Sequence, residues 1–238
     1  MTRIIVSDLS GPCGQAIARH FLGKGVAVAG LRGEKLPGDL SGVEVYDYDA
    51  THDAGCEAFA AKLEAEKKDF DALVLTGRQL EKSLVSDCPL EVFERTISAN
   101  TKAAFFLIKR VGGILRAKKQ GAVIIVGSTH GEKPTGAAFA FSASMGSMKM
   151  MHREASLQLG RDGVHCVLLE MGPTTYDEEI MDTPLSPIYD GFEQSIPRKR
   201  ACTFEELAGI VQMSIDNPML NGADIRCDGG FMLKYGDR

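Results

Sequence analysis

Short apolar, β-branched runs alternate along the chain with longer stretches whose apolar residues recur every three to four positions. The runs are RIIVS, VAVAG, VEVY, DALVLT, AVIIVGS, VHCVLL and ADIRC, at residues 3–7, 26–30, 43–46, 71–76, 122–128, 164–169 and 223–227. Runs that are apolar on both faces suit a parallel sheet covered by helices. Residues 13–24, 53–68, 89–118, 139–160 and 203–217 carry the helical period between them, with Pro89 placed for a first turn and Gly160 near an end. This alternation, with right-handed crossovers, predicts an α/β fold: a doubly wound parallel sheet of seven strands with helices on both faces, as a single domain over 1–238.

Residues 172–200 break the regularity. Pro173, Pro184, Pro187 and Pro197 interrupt any helix there, while Ile180, Met181, Leu185, Ile188, Tyr189, Phe192 and Ile196 give the segment apolar anchors. A loop of that length inside a compact domain reads as a substrate lid.

Composition narrows the function classes. At 44% hydrophobic residues the chain can bury a substantial core, and 27 basic against 32 acidic residues give a net charge of −5 with the signs interspersed. That is not the field needed to hold a nucleic acid backbone or an anionic membrane, so neither is an expected partner. The six cysteines, at 13, 56, 88, 166, 202 and 227, lack ligand spacing and read as thiols in a reducing compartment, with no zinc site and no disulfide framework. The opening stretch MTRIIVSDLSG has an apolar run of three residues, too short for a signal-peptide core or a membrane span. A cytoplasmic location is expected.

The first strand feeds SDLSGPCGQAIARHF, where a glycine turn opens a helix. In doubly wound folds that helix N-terminus receives a dinucleotide pyrophosphate; a structural turn accounts for Gly11 and Gly14 equally well. Asp8 complicates the loop. Facing a pyrophosphate at ~5 Å, its carboxylate would cost ~3 kcal/mol at an effective dielectric of ~20, or ~100-fold in affinity. Turned inward, it accepts backbone N–H bonds of its own loop instead.

The chain as a whole resembles the short-chain dehydrogenase/reductase family, whose Rossmann-type fold carries a TGxxxGxG loop. Ser7 takes the threonine position, Asp8 and Pro12 replace the first two glycines, Gly14 is the third, and Gly11 stands one residue early. After the second strand, VAVAGLRGEK puts Arg32 where a basic residue accommodates a 2′-phosphate, which favours NADP(H) over NAD(H); a solvated surface arginine is the alternative. The resemblance assigns Asp47 to adenine contact, with Asp49 competing. The family's NNAG turn becomes Leu75, Thr76, Gly77 and Arg78, and Gly172 matches the glycine of its PG turn. NGADIRCDGGFML and RKRACTFEELAGIV resemble its last strand and the helix before it.

In the family a serine polarises the substrate carbonyl, a tyrosine moves its proton, a lysine one turn later tunes the tyrosine and holds the nicotinamide ribose, and an asparagine anchors a proton path. Ser128 falls on the serine and Asn100 on the asparagine. Counting 13 residues on from Ser128 gives Phe141, and four more gives Met145, in the places of the tyrosine and lysine. The two changes agree, since an ammonium beside a phenyl ring has no phenolate to stabilise and a methionine packs well against it. His130 is a candidate proton source or substrate contact, Tyr176 a substrate contact, and Lys149 is expected to miss the ribose.

The resemblance therefore implies an NADP(H)-linked oxidoreductase acting on a carbonyl or activated double bond of a small organic molecule through a non-standard site. The alternatives are a non-catalytic cofactor-binding or partner subunit, possible as a hetero-oligomer with an active paralogue, and a non-redox lyase or isomerase. A homodimer or homotetramer packed through the helices at 89–118 and 139–160 is also implied.

Overall fold

The computed structural model of the chain describes residues 1–31, 36–174 and 196–233. Seven strands, β1 (Arg3–Val6), β2 (Ala27–Leu31), β3 (Glu44–Tyr46), β4 (Ala72–Leu75), β5 (Gly121–Ser128), β6 (Val164–Met171) and β7 (Asp224–Cys227), form one sheet in the order β3-β2-β1-β4-β5-β6-β7. Every pairing is parallel. Each strand lies inside the run that the apolar pattern marked or overlaps it within two residues.

The helices are α1 (Pro12–Leu22), α2 (Asp53–Ala65), α3 (Leu90–Ile97), α4 (Ala103–Lys118), α5 (Phe139–Leu159) and α6 (Phe204–Asp216). α1 starts with Pro12 in its first turn, where the missing N–H costs no helical bond, and buries Ile17 and Phe21. α6 starts on a capping box in which Thr203 and Glu206 satisfy each other's backbone N–H groups. α3 and α4 form one helical run, as the period at 89–118 predicts, but residues Ser98–Lys102 between them wind as a π-helical turn.

Two apolar layers cover the sheet. α2, α4 and α5 close one face over Phe59, Phe70, Leu107, Val111 and Phe141. α1 and α6 close the other over Leu9, Ile17, Phe21 and Val211. Burying one such side chain contributes roughly 1.5–3 kcal/mol, so the layers fix the strand ends firmly. The consequence for function lies in the strand order: the chain winds outward in opposite directions from β1 and β4, and their carboxyl ends flank the crevice where doubly wound sheets bind ligands.

Candidate functional site

A cavity of about 710 Å³ lies at that crevice, lined at one end by Asp47, Tyr48 and Asp49 and at the other by Thr76, Gly77, Arg78 and Asn100, with Ser7, Asp8, Gly11, Pro12 and Cys13 between. Its size is that of a small-molecule or cofactor site. Hydrogen bonds knit its floor: Ser7 N–H donates to Val74 O at 2.9 Å, Thr76 N–H to Ser7 Oγ at 2.9 Å, and Thr76 Oγ1 to Asp8 O at 3.0 Å. Thr76, nearly fully buried, is a structural link that the sequence alone did not single out.

The loop glycines divide the labour. A Cβ on Gly14 would sit 1.8 Å from Asp8 O, so Gly14 is needed for α1 to pack against its own loop. A Cβ on Gly11 would meet only Asp8 Oδ2, at 3.9 Å, so bare backbone there leaves room for a ligand. The Asp8 carboxylate turns into its loop: Oδ1 accepts Ser10 N–H at 2.8 Å and Ser10 Oγ at 2.5 Å. This is the benign one of the two arrangements open to it. A helix N-terminus, a glycine that leaves space and an arginine at the rim suit an anionic ligand.

At the β3 end of the cavity, Asp49 is committed to a turn, accepting Thr51 N–H at 2.8 Å and contacting His52 Nδ1 at 2.7 Å. Asp47 is exposed and lines the cavity. Gly77 backs onto Ala99 O, 3.1 Å from where its Cβ would be, and Gly172 onto Asp228 Cα at 2.8 Å, so both allow close packing of loops. Arg32 and Tyr176 lie outside the described residues, as does most of the segment assigned to the lid.

The side chains grouped by the sequence reading converge beside Arg78. Ser128, at the end of β5, has its Oγ 3.1 Å from His130 Nδ1, and His130 N–H donates to the same Oγ at 3.3 Å. The His130 ring meets Phe141 edge-on at 5.3 Å between centroids. On Phe141 the Arg78 guanidinium carbon lies 5.6 Å from the ring centroid. Phe141 and Met145 are 0% and 2% exposed. A chain of contacts thus runs from the cavity, through Arg78 and Phe141, to His130 and Ser128.

Asn100 sits within the π-helical turn, fully buried. Its Oδ1 accepts Gln79 N–H at 2.7 Å, and its Nδ2 donates to Gln79 O at 3.0 Å and Ser144 Oγ at 2.9 Å. Both amide protons are spent, which makes this side chain a brace between β4's loop and α5. The π-turn that aims it has no signature in the apolar period.

Lys149 is directed elsewhere. Its Nζ bonds Glu170 Oε1 and Glu132 Oε2, each at 2.9 Å. Burial opposes the charge, but the hydrogen bonds to Glu170 and Glu132 outweigh it and raise the lysine pKa above its ordinary value. It is absent from the lining of the cavity. Among the described residues no cluster of His, Cys, Asp or Glu is arranged to hold a metal ion, and no helix is long and apolar enough to cross a membrane.

Residues 13–232 match the family model described as enoyl-(acyl carrier protein) reductase. The chain is 30% identical over 235 residues to the 3-oxoacyl-(acyl-carrier-protein) reductase MabA of Mycobacterium tuberculosis, covering 98% of this chain and 93% of that protein. Its fold is similar to that of a gluconate 5-dehydrogenase from Burkholderia cenocepacia in complex with NADP and tartrate, with a TM-score of 0.87 at 16% identity, covering 98% of this chain and 96% of that one. An NAD+-bound xylitol dehydrogenase is similar at a TM-score of 0.85 and 20% identity, covering 96% of this chain and 98% of that one.

Proposed function

The chain belongs to the short-chain dehydrogenase/reductase family, and we propose that it is an NADP(H)-linked oxidoreductase that reduces a carbonyl or activated double bond of a small organic molecule without the family's tyrosine and lysine. The observation that carries this reading is the continuity between the cavity at the β1/β4 crevice and the Ser128–His130 pair, through Arg78 and Phe141. In this reading Phe141 and Met145 stand in the tyrosine and lysine places, and their burial among apolar neighbours supports a site rebuilt as a matched pair.

Gly11 and the start of α1 would hold the diphosphate, Asp47 the adenine end, and Ser7, Gly14, Gly77 and Gly172 the loops around them. When bound, the reduced nicotinamide supplies a hydride. The proton comes from this chain. His130 N–H occupies one lone pair of Ser128 Oγ. With Nδ1 of a protonated His130 donating to the other, the Ser128 hydroxyl hydrogen is left to point at a substrate oxygen. As charge develops on that oxygen, Ser128 passes its proton and His130 replaces it, ending as neutral imidazole. A positioned acid of this kind is worth ~10²- to 10⁴-fold in rate, and the same hydroxyl stabilises an enolate formed from a conjugated alkene. Asn100 braces the wall behind.

NADP(H) is favoured by Arg32 in the sequence and by the NADP held by the Burkholderia protein; the NAD+ held by the xylitol dehydrogenase marks the competing choice. The chain acts as one domain, as a homodimer or homotetramer; Phe105 on α4 and Met150 and Leu157 on α5, all exposed in the single chain, support helix-to-helix pairing. The test is NADPH oxidation by purified protein across a panel of ketones and enones. Activity that is lost in Ser128→Ala and lowered in His130→Gln supports the relay; no oxidation with any of them contradicts it.

The near-complete burial of Ser128, His130, Phe141 and Met145 favours one second reading, a cofactor-binding subunit without turnover. It predicts NADPH binding with no oxidation, together with co-purification of a paralogue that carries the tyrosine and lysine.

A further inference from the structure

Ser128 and His130 are held by different parts of the fold. Ser128 ends β5 and is fixed by its register with Met171 of β6, whereas His130 rides the turn Thr129–Gly131, so whatever holds that turn sets the distance between the two side chains. The next residue, Glu132, closes the turn with its N–H on Thr129 O at 3.0 Å. Its carboxylate then reaches two other elements: Oε2 accepts Lys149 Nζ of α5 at 2.9 Å, and Oε1 accepts Arg226 Nη2 of β7 at 2.7 Å. The same two cations meet Glu170 of β6, with Lys149 Nζ 2.9 Å from Oε1 and Arg226 Nε 3.5 Å from Oε2. Four side chains of alternating sign thus form a closed ring between the turn, α5, β6 and β7. Glu170 is 2% exposed, which anchors the ring in the interior although Glu132 and Arg226 reach the surface. A lone surface ion pair is worth little, whereas a network with a buried member holds its geometry. Lys149 and Arg226 also keep the Glu132 carboxyl below the usual carboxylate range, so it stays ionised at neutral pH.

We infer that Glu132 is a positioning residue: through Lys149 and Arg226 it clamps the turn Thr129–Gly131 against α5 and β7, and so sets His130 Nδ1 against Ser128 Oγ. The inference rests on the Ser128–His130 relay proposed above and adds to it the residue that keeps the pair in register. Gly131 lets the turn lie that close, since a Cβ there would stand 2.9 Å from the Met145 carbonyl carbon. The missing side chain permits the approach, and the carboxylate bonds supply the attraction. Lys149 gains a use from this arrangement: one turn beyond Met145, it acts on the relay through Glu132. Support of this kind matters because a reacting group displaced by about 1 Å can lose up to ~100-fold in rate.

The test joins steady-state NADPH oxidation, with the ketone or enone that the wild type turns over fastest, to nitrogen NMR of protein labelled at its histidines, where the His130 signals are those missing from His130→Gln. Glu132→Ala is expected to lower kcat by about 10-fold, the scale of a displaced reacting group, and to leave KM and Kd for NADPH within about twofold, the size of a surface substitution effect. It should also move the His130 Nδ1 resonance toward that of imidazole in water. Glu132→Gln, which loses the charge but keeps an acceptor for one of the two cations, should recover part of both effects. Arg226→Met should change kcat and the resonance in the same direction by less, and it carries the test should Glu132→Ala not fold. Arg116→Gln, which breaks a surface ion pair with Asp162, should change neither. An unmoved His130 resonance in Glu132→Ala, or equal losses in Glu132→Ala and Glu132→Gln, overturns the assignment while the relay stands. A wild type that oxidises no NADPH overturns the relay, and the His130 resonance then decides on its own whether Glu132 positions that ring.

Discussion

Placing a lysine at position 145 tests how closed the apolar site proposed around Phe141 is. Met145 is 2% exposed, and a Cβ on Gly131 would stand 2.9 Å from the Met145 carbonyl carbon, so the turn Thr129–Gly131 after β5 lies directly against this turn of α5. Its polar neighbours are spoken for: Asn100 and Ser144 bond each other, and Ser144 Oγ donates to Phe141 O at 2.7 Å. In Met145→Lys the two side chains have similar length, so packing changes little and desolvation of the ammonium dominates. The sign follows from linkage: the folded-state pKa drops below the unfolded value of about 10.4, so the variant matches the wild type above that pH and loses about 1.4 kcal/mol for each unit below it, until the folded pKa is reached. With a folded pKa at or below neutrality, the deficit reaches roughly 4–5 kcal/mol at pH 7 and about 1 kcal/mol at pH 9.5. Urea unfolding of both proteins at the two pH values measures it. A deficit below about 1 kcal/mol at both, the scale of an ordinary surface change, means that the new ammonium reaches water or a partner, and the closed apolar site is refuted.

Other outcomes follow from the same packing. Gly14→Ala pushes a methyl into Asp8 O and should cost at least about 1–3 kcal/mol, read as a lowered thermal midpoint with NADPH binding lost in parallel. Lys149→Met leaves the buried Glu170 carboxylate facing Arg226 alone and should cost roughly 3 kcal/mol by denaturant titration, with KM for NADPH unchanged in the protein that folds. Burial raises the Cys166 and Cys227 thiols to about 12 and the Cys56 thiol to about 11. Native protein should therefore react with a thiol reagent at Cys88 and, more slowly, at Cys202, whose burial raises it to about 11; fast labelling at Cys166 would show a looser core.

The central strands β4, β5 and β6 were legible because both their faces are buried, which leaves an apolar run with no polar alternation to confuse it, while the edge strands β3 and β7 are only partly buried and were read from short β-branched runs. The helices were legible through their period, to within a few residues at each end. The π-turn at Ser98–Lys102 was not, because one extra residue in a turn leaves the apolar spacing almost intact while it re-aims Asn100. The resemblance put Asn100 with a proton path, and the bonds of its amide to Gln79 and Ser144 could not be read from it. Ser128, His130, Phe141 and Met145 were grouped by the resemblance, whereas the contacts of Arg78 with Phe141, and of Lys149 with Glu132 and Glu170, join residues 63, 17 and 21 apart in the chain and depend on the packing of β4, α5 and β6. Asp8 was ambiguous in sequence because both of its arrangements use the same residues, and only the bond to Ser10 decides between them.

The account stands on a cavity that holds a nicotinamide dinucleotide, and equilibrium titration of the wild-type protein with NADPH, followed by nicotinamide fluorescence, measures that without reference to any substrate. Saturable binding at micromolar concentrations, tighter than that of NADH and displaced by NADP+, is the predicted result. No binding of either cofactor at millimolar concentration would contradict it.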